Sequence, residues 1–129
     1  MMTNAPIPYG RQSISEDDIA AVVEVLRSDF LTQGPAVELF EDAICDYTGA
    51  DFAVACSNGT AALHLACLAI GLTAGDLLWT SPMSFAASAN CARFCNADVD
   101  FVDIDPVTGN MCAVALTNKL HSANRLPKA

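Results

Sequence analysis

Basic residues are scarce in this chain: six lysines and arginines stand against fifteen aspartates and glutamates, giving a formal charge of −9 over 129 residues. Half of the basic residues lie in the last eleven positions, so no basic stripe runs along the sequence. Proteins that bind nucleic acid concentrate Lys and Arg on one face to neutralise phosphates. The charge pattern therefore disfavours nucleic acid as a partner.

Long apolar runs are also missing. No run reaches the roughly 18 residues that a membrane-spanning helix needs, and residues 1–12 lack the basic and then apolar layout of a secretory signal. We therefore expect a cytoplasmic protein with no membrane partner, whose six cysteines are reduced. Cys91 and Cys95 are four positions apart, but no second Cys/His pair has ligand spacing. Two buried thiols and no metal site are the prediction.

The chain contains a larger share of hydrophobic residues than is usual for a soluble protein of its size. Hydrophobic residues make up 53% of the sequence and charged residues only 16%, and the mean hydropathy is +0.35. A free-standing small domain exposes much of its surface and usually needs more charge to cover it. The composition predicts that further polypeptide or a partner subunit covers part of this surface.

The first part of the chain predicts an extended arm over residues 1–14 and two helices. Ser15 and Asp18 have the spacing of a capping box, which starts a helix that ends near residue 28. A second helix is predicted over 35–49, with a proline in its first turn and a glycine at its end. Both helices have an apolar face at helical spacing.

From residue 51 the pattern changes to alternating strands and helices. The predicted strands are Phe52–Cys56, Leu77–Thr80 and Val99–Val102, and the predicted helices between them are Ala61–Ile70 and Ser84–Phe94. This alternation is typical of an α/β fold with right-handed crossovers and a parallel sheet. Ligands of such sheets lie at the carboxyl ends of the strands. After residue 110 the pattern weakens, with a possible helix over 114–120.

Two segments at predicted strand ends carry the candidate chemistry. Ser57–Thr60 turns a strand into a helix, which leaves free N–H groups that favour an anion such as phosphate. Gly59 allows close approach, and Thr60 adds a hydroxyl or is itself the N-cap. An ordinary helix cap is the alternative at this turn. Phe85, after the next strand, suits a flat, phosphorylated cofactor, with core packing as its alternative.

Other functions remain open at this level. A strand, turn and helix over 52–65 is also typical of dinucleotide-dependent oxidoreductases, but the G-x-G-x-x-G pattern is absent and this class is disfavoured. A small phosphate-binding module without amine chemistry and a non-catalytic interaction module are the remaining alternatives.

Five ordered segments resemble the N-terminal motifs of the DegT/DnrJ/StrS aminotransferases, and the match is collinear from about Ile7 to Asn110. These segments are Leu31–Pro35, Phe40–Glu41, Ser57–Ala66, Pro82–Asn90 and Val102–Asp105. The resemblance implies the N-terminal part of the large domain of a fold-type-I aminotransferase, a three-layer, mainly parallel sheet structure that is incomplete here. It divides the chain into an arm (1–14), a partial large domain (15–110) and a weakly determined tail (111–129).

The resemblance also implies binding roles. The cofactor is pyridoxal 5′-phosphate, with Gly59 and Thr60 on its phosphate and Phe85 stacked on its ring. The residues implied to contact the sugar nucleotide or a facing subunit are Tyr9, Asp29, Phe30, Leu31, Thr32 and Gly59. Family active sites are built between two subunits, so a homodimer is expected. Within the family, Ile7–Gly10 and Pro82–Asn90 are most similar to the pseudaminic-acid branch. That branch aminates a UDP-linked 4-keto-6-deoxy-N-acetyl-altrosamine-type sugar with glutamate as donor.

No catalytic residue can be assigned in this chain. Transamination needs a Schiff-base lysine and an acid near the pyridine nitrogen, and the resemblance implies that both lie beyond residue 129. Lys119 and Lys128, the only lysines, lie outside the matching motifs. Asp103 and Asp105 are expected to cap a turn. The chain is therefore expected to be catalytically silent alone, and Phe52–Cys56 is not expected to pair directly with Leu77–Thr80.

Overall fold

The computed structural model describes residues 10–129 and divides into two units, one ending at Ala55 and one spanning Cys56–Ala129. The elements in chain order are α1 (Glu16–Arg27), α2 (Pro35–Thr48), α3 (Gly59–Ala69), β1 (Leu77–Thr80), α4 (Ala87–Phe94), β2 (Asp98–Phe101) and α5 (Ala113–Ser122). None of the helices in the described part has the length and hydropathy needed to cross a bilayer.

The start of α1 confirms the predicted capping box. Ser15 Oγ accepts a hydrogen bond from Asp18 N at 3.2 Å, and Asp18 Oδ2 accepts one from Ser15 N at 2.7 Å. These hydrogen bonds, the backbone one first, hold the pKa of Asp18 below its usual value because they stabilise the charged carboxylate. The helix ends as predicted, with Ser28 as its C-cap.

The second helix also follows the prediction. Pro35 occupies the first turn of α2, and Gly49 ends the helix with a left-handed φ of 74° that favours glycine. Gly34, just before α2, is required by a close approach: a Cβ there would lie 2.7 Å from Phe30 Cβ. Neither α1 nor α2 contains a buried residue, so both helices keep their apolar side chains at least partly exposed.

The second unit is built on a parallel pair of strands. β1 and β2 run in register from Leu77 opposite Asp98 to Thr80 opposite Phe101. The buried core against α3 and α4 consists of small and medium side chains, namely Cys67, Leu72, Leu78, Cys91, Ala92, Cys95 and Ala97. The small residues let the helices approach the sheet closely. The parallel arrangement and the positions of β1 and β2, the latter one residue earlier than predicted, confirm the α/β interpretation.

The predicted burial of Cys91 and Cys95 is confirmed, since both are less than a tenth exposed. They lie close to Cys67, whose pKa is raised to about 11, mainly by burial and then by hydrogen bonding and charge interaction with the other two thiols. Cys67 is therefore a neutral thiol at physiological pH. Within residues 10–129, no group of three or more His, Cys, Asp or Glu side chains is placed to hold a metal ion.

One predicted strand is wrong. Phe52–Cys56 forms no strand. A strand needs a neighbour for its N–H and C=O groups. The one backbone hydrogen bond that this segment makes to the rest of residues 10–129 runs from Ala55 N to Glu41 Oε1, at 2.6 Å. The side chains of Phe52 and Val54 are 89% and 80% exposed.

The two crossover helices differ from prediction at their first turns. α3 begins at Gly59, two residues early, because Asn58 caps it. α4 begins at Ala87, three residues late, and its N-cap, Ala86, makes no side-chain hydrogen bond. The hydroxyl of Ser84 is within hydrogen-bonding distance of the Ser88 hydroxyl instead of capping a backbone N–H. The region 84–86 is consequently a loop at the end of β1.

The end of the chain is bound to the sheet. α5 covers the predicted helix over 114–120, and the chain then lies beside β1: Lys128 N donates to Leu77 O and Trp79 N to Ala129 O, both at 2.8 Å. The ion pairs of this segment are Lys119 with Asp100 at 2.6 Å, Arg125 with Asp98 at 2.8 Å and Lys128 with Asp76 at 2.9 Å. The three late basic residues therefore have structural partners. The division at residues 14/15 and 110/111 stays a prediction.

The apolar surface leads to a first prediction. We expect the monomeric 129-residue chain to unfold without a cooperative thermal transition, because α1, α2 and segment 52–56 bury too little apolar area. Circular dichroism during heating, with the oligomeric state measured by light scattering, tests this. A single sharp transition of a monomer would contradict it.

The ion pairs lead to a second prediction, on pH dependence. The pKa of Asp76 is lowered, first by its hydrogen bond to Lys128, and that of Asp100, first by its hydrogen bond to Lys119. Because the folded-state pKa values are depressed, both pairs contribute stability above pH 3.8, the ordinary carboxyl value, and lose it as pH falls through the lowered pKa.

Carboxyl carbon NMR titration measures both groups directly. Lys128→Gln should raise the pKa of Asp76 toward 3.8 and leave the pKa of Asp100 unchanged. Lys119→Gln should raise the pKa of Asp100 toward 3.8 and leave that of Asp76 unchanged. Each variant is therefore the control for the other. Equal shifts of both aspartates in either variant would refute the assignment of partners.

Candidate functional site

The start of α3 carries the first part of the site. Asn58 Oδ1 accepts a hydrogen bond from Ala61 N at 2.9 Å, and Asn58 O accepts one from Ala62 N at 3.1 Å. Asn58 is thus the N-cap, and the alternative that Thr60 is the N-cap is wrong. Asn is among the most effective N-caps because its short side chain reaches the N–H groups of the first turn.

This cap leaves two neighbouring donors free. Among the described residues, the backbone N–H groups of Gly59 and Thr60 have no hydrogen-bond acceptor. A Cβ at Gly59 would meet no atom within 4 Å, so the space beside these groups is open. Unpaired N–H groups and the helix dipole together make a favourable place for an anion.

A cavity of about 510 Å³ joins this helix start to the loop after β1. Its lining residues are Gly59, Thr60, Ala62, Leu63, Phe85, Ala87 and Ser88. The structure therefore brings together the three residues predicted for the cofactor. The size of the cavity is within the range of small-molecule sites, about 300–1,000 Å³.

Phe85 is not a core residue in this structure. Its side chain is 76% exposed, which corrects the alternative that it packs into the core. It lies in the loop between β1 and α4, at the carboxyl end of β1, where ligands of parallel sheets bind. An exposed aromatic ring on a cavity wall can stack against a flat ligand.

The cavity is electrically suited to a phosphate group. All of its lining residues are uncharged, although the chain carries a net charge of −9. No carboxylate of the lining would therefore repel an anion, and the positive end of the α3 dipole would attract it. The residues present fit a ligand that combines an anionic group with a flat ring.

Ser88 is a cavity residue that sequence reasoning missed. It is half-buried, and its hydroxyl lies 2.9 Å from that of Ser84. Its backbone N–H donates to Phe85 O at 3.0 Å. The signal that could have found it is the spacing of two serines four positions apart on either side of the predicted ring residue.

Of the residues predicted to contact a sugar nucleotide, the segment Asp29–Thr32 lies in the first unit and Gly59 in the second. In the segment Asp29–Thr32, Phe30 and Leu31 are 60% and 66% exposed. Phe30 lines a cavity of about 300 Å³ together with α1 and α2 residues such as Val25 and Leu39. Tyr9 lies outside the described residues. The prediction that these residues bind a substrate stays a prediction.

Of the two aspartates expected to cap a turn, Asp105 does so and Asp103 does not. Asp105 Oδ1 accepts hydrogen bonds from Val107 N at 2.7 Å and Thr108 N at 3.3 Å, which confirms that it caps a turn. Asp103 Oδ1 instead accepts one from its neighbour Ile104 at 2.8 Å. Both lysines of the chain are held in ion pairs with aspartates.

The fold and site define part of an α/β domain with a helix start that is open to an anion beside an exposed aromatic ring. Comparison with known proteins gives the family. The model of the DegT/DnrJ/EryC1/StrS aminotransferase family matches residues 12–126, and the chain belongs to this family. The family and fold class implied by the sequence motifs are thereby confirmed.

Individual relatives agree with this assignment. The chain is 42% identical over 98 residues to the UDP-4-amino-4,6-dideoxy-N-acetyl-beta-L-altrosamine transaminase of Campylobacter jejuni strain 81-176, covering 76% of this chain and 26% of the relative. Among solved structures, Helicobacter pylori PseC, an aminotransferase involved in the biosynthesis of pseudoaminic acid, superposes with a TM-score of 0.79 at 32% identity, covering 86% of this chain and 30% of that chain.

A second solved structure is Spr1654 from Streptococcus pneumoniae in its PLP form. It superposes with a TM-score of 0.80 at 30% identity, covering 87% of this chain and 29% of that chain. The chain thus spans between a quarter and a third of the length of these three relatives.

The cap at Asn58 gives a third prediction. Asn58→Asp keeps the capping oxygen but places a negative charge beside the free N–H groups, so it should weaken binding of inorganic phosphate roughly tenfold. Asn58→Ser, which keeps a cap without charge, should bind nearly as the parent does. Phosphorus NMR titration measures the affinities.

Asn124→Asp adds the same charge in the loop after α5 and serves as the matched control. Equal phosphate affinities for Asn58→Asp and Asn124→Asp would exclude the start of α3 as the phosphate site.

Proposed function

We propose that this chain supplies the cofactor-binding part of a pyridoxal-phosphate-dependent sugar aminotransferase. The observation that carries the proposal is the shared cavity: the free N–H groups of Gly59 and Thr60 and the exposed ring of Phe85 line the same space. The two N–H groups and the Thr60 hydroxyl would hold the cofactor phosphate. Phe85 would cover one face of its ring.

Pyridoxal phosphate in this cavity would supply the electron sink that transfer of an amino group requires. The residues of this chain bind and orient the ligand. Gly59 leaves room for close approach because it has no side chain, and the apolar lining around Leu63 limits the water that reaches one side of the ring.

The substrate that we propose is a nucleotide-linked 4-keto-6-deoxy sugar, a UDP-4-keto-6-deoxy-N-acetyl-altrosamine type, with glutamate as amino donor. Support comes from the names of the relatives, an altrosamine transaminase and an aminotransferase of pseudoaminic acid biosynthesis. Gly59, the segment Asp29–Thr32 and Tyr9 are the proposed contacts with the sugar nucleotide or with a second subunit of a homodimer. The exposed side chains of Phe30 and Leu31 suit such a covered position.

We further propose that residues 1–129 alone do not transaminate. Lys119 is paired with Asp100 and lies 4.9 Å from the centre of the Trp79 ring, and Lys128 is paired with Asp76. Neither lysine lines the cavity of Gly59 and Phe85. The Schiff-base lysine and the acid at the pyridine nitrogen would therefore come from polypeptide outside these residues. We propose that the enzyme is cytoplasmic.

A second candidate is a phosphate-binding module without amine chemistry. The same observation on the lysines favours it, since the cavity keeps the phosphate-binding helix start and contains no amine. The two candidates differ in how much Phe85 contributes to ligand binding, because only the first involves stacking on a flat ring.

A fourth prediction separates them. By calorimetric titration of the 129-residue chain, pyridoxamine 5′-phosphate should bind more tightly than inorganic phosphate, and pyridoxamine without phosphate should bind weakest. Phe85→Ala should weaken binding of pyridoxamine 5′-phosphate by about two- to tenfold, the range expected for a lost aromatic stack. Pyridoxamine 5′-phosphate avoids Schiff bases with surface lysines.

Phe52→Ala removes a still more exposed ring from the first unit and is the matched control, expected to have no effect. Equal affinities for inorganic phosphate and pyridoxamine 5′-phosphate would favour the phosphate-binding module. Equal binding with and without the phosphate group would overturn both candidates.

A further inference from the structure

The position of Phe85 depends on few contacts. Its ring is largely exposed, so packing does not fix it. The adjacent helix α4 begins without a side-chain cap at Ala86. On the strand side, Ser81 Oγ accepts a hydrogen bond from Met83 N at 3.3 Å. On the helix side the carbonyl of Ala86 accepts hydrogen bonds from Ala89 N at 3.1 Å and Asn90 N at 2.9 Å, and one further contact restrains the residues next to it.

Ser88 provides that contact on both sides of Phe85. Its backbone N–H donates to the carbonyl of Phe85 itself at 3.0 Å. Its hydroxyl lies 2.9 Å from the hydroxyl of Ser84, the residue just before the ring. Ser88 also lines the cavity shared by Gly59 and Phe85 and is half-buried, whereas Ser84 is exposed.

We infer that the Ser84–Ser88 hydroxyl pair holds the ring of Phe85 over the cavity, which makes Ser88 a positioning residue for ligands that carry a flat ring. The inference rests on the proposed function, because it assigns to Ser88 an effect on ring binding. The pair restrains the loop on either side of the ring, so losing it lets the ring leave the stacked position. The phosphate end of the ligand, held at α3, is unaffected.

Replacing one hydroxyl tests this directly. Ser88→Ala keeps the backbone hydrogen bond to Phe85 and removes only the hydroxyl contact. It should weaken pyridoxamine 5′-phosphate binding by about fivefold, the equivalent of one hydrogen bond, and leave inorganic phosphate binding unchanged. Ser84→Ala should have the same effect, and Ser88→Thr, which keeps the hydroxyl, should restore parental affinity.

Circular dichroism in the absorption band of the bound ring gives a readout that does not depend on activity. Ser88→Ala should reduce this signal at saturating ligand, because the ring then has no fixed aromatic neighbour. Ser122→Ala removes a hydroxyl that bonds to Asn118 O on α5 and is the matched control, with no expected change. Far-ultraviolet circular dichroism checks that every variant keeps the parental helix content.

A double-mutant cycle with Phe85→Ala completes the test. If Ser88 acts through the ring, Ser88→Ala has no further effect once Phe85 is alanine. Additive losses, or an equal loss of phosphate affinity, would show a general structural role and overturn the inference while leaving the proposed function intact. Failure of the parental chain to prefer pyridoxamine 5′-phosphate over phosphate would overturn the proposed function, and the inference with it.

Discussion

The cap at the start of α3 is the interaction on which the candidate site depends. A helix begins with N–H groups that have no intrahelical partner, and Asn58 satisfies those of Ala61 and Ala62. The two that remain, on Gly59 and Thr60, are adjacent and open to solvent. A cap that reached one residue less far into the helix would occupy one of the donors that the site needs.

The composition of the chain is explained by how little of it is buried. The core between the sheet and the helices α3 and α4 is built from alanine, cysteine, leucine and valine, which permit close packing. Many large apolar side chains, Phe40 and Phe52 among them, are more than half exposed. The chain spans less than a third of the length of its Campylobacter jejuni and Helicobacter pylori relatives, and that other polypeptide covers part of its apolar surface stays a prediction.

The three basic residues near the end of the chain all form ion pairs with aspartates of the second unit. Lys119, Arg125 and Lys128 each pair with an aspartate that lies just before β1 or within β2. Lys119 and Lys128 also donate to the carbonyls of Phe101 and Gly71. These contacts fasten the last segment to the sheet, so both lysines serve structure and neither approaches the cavity at α3.

The sequence by itself determined the features that depend on neighbours a few positions away. The capping box at Ser15, the end of α2 at Gly49 and the turn at Asp105 arise from hydrogen bonds or backbone angles within a single turn. Tertiary structure decided the rest. Segment 52–56 has no partner strand among residues 10–129, and Lys128 pairs with Asp76, which is 52 positions away in the sequence. Such outcomes depend on which distant groups the fold brings together, and local pattern carries no information about them.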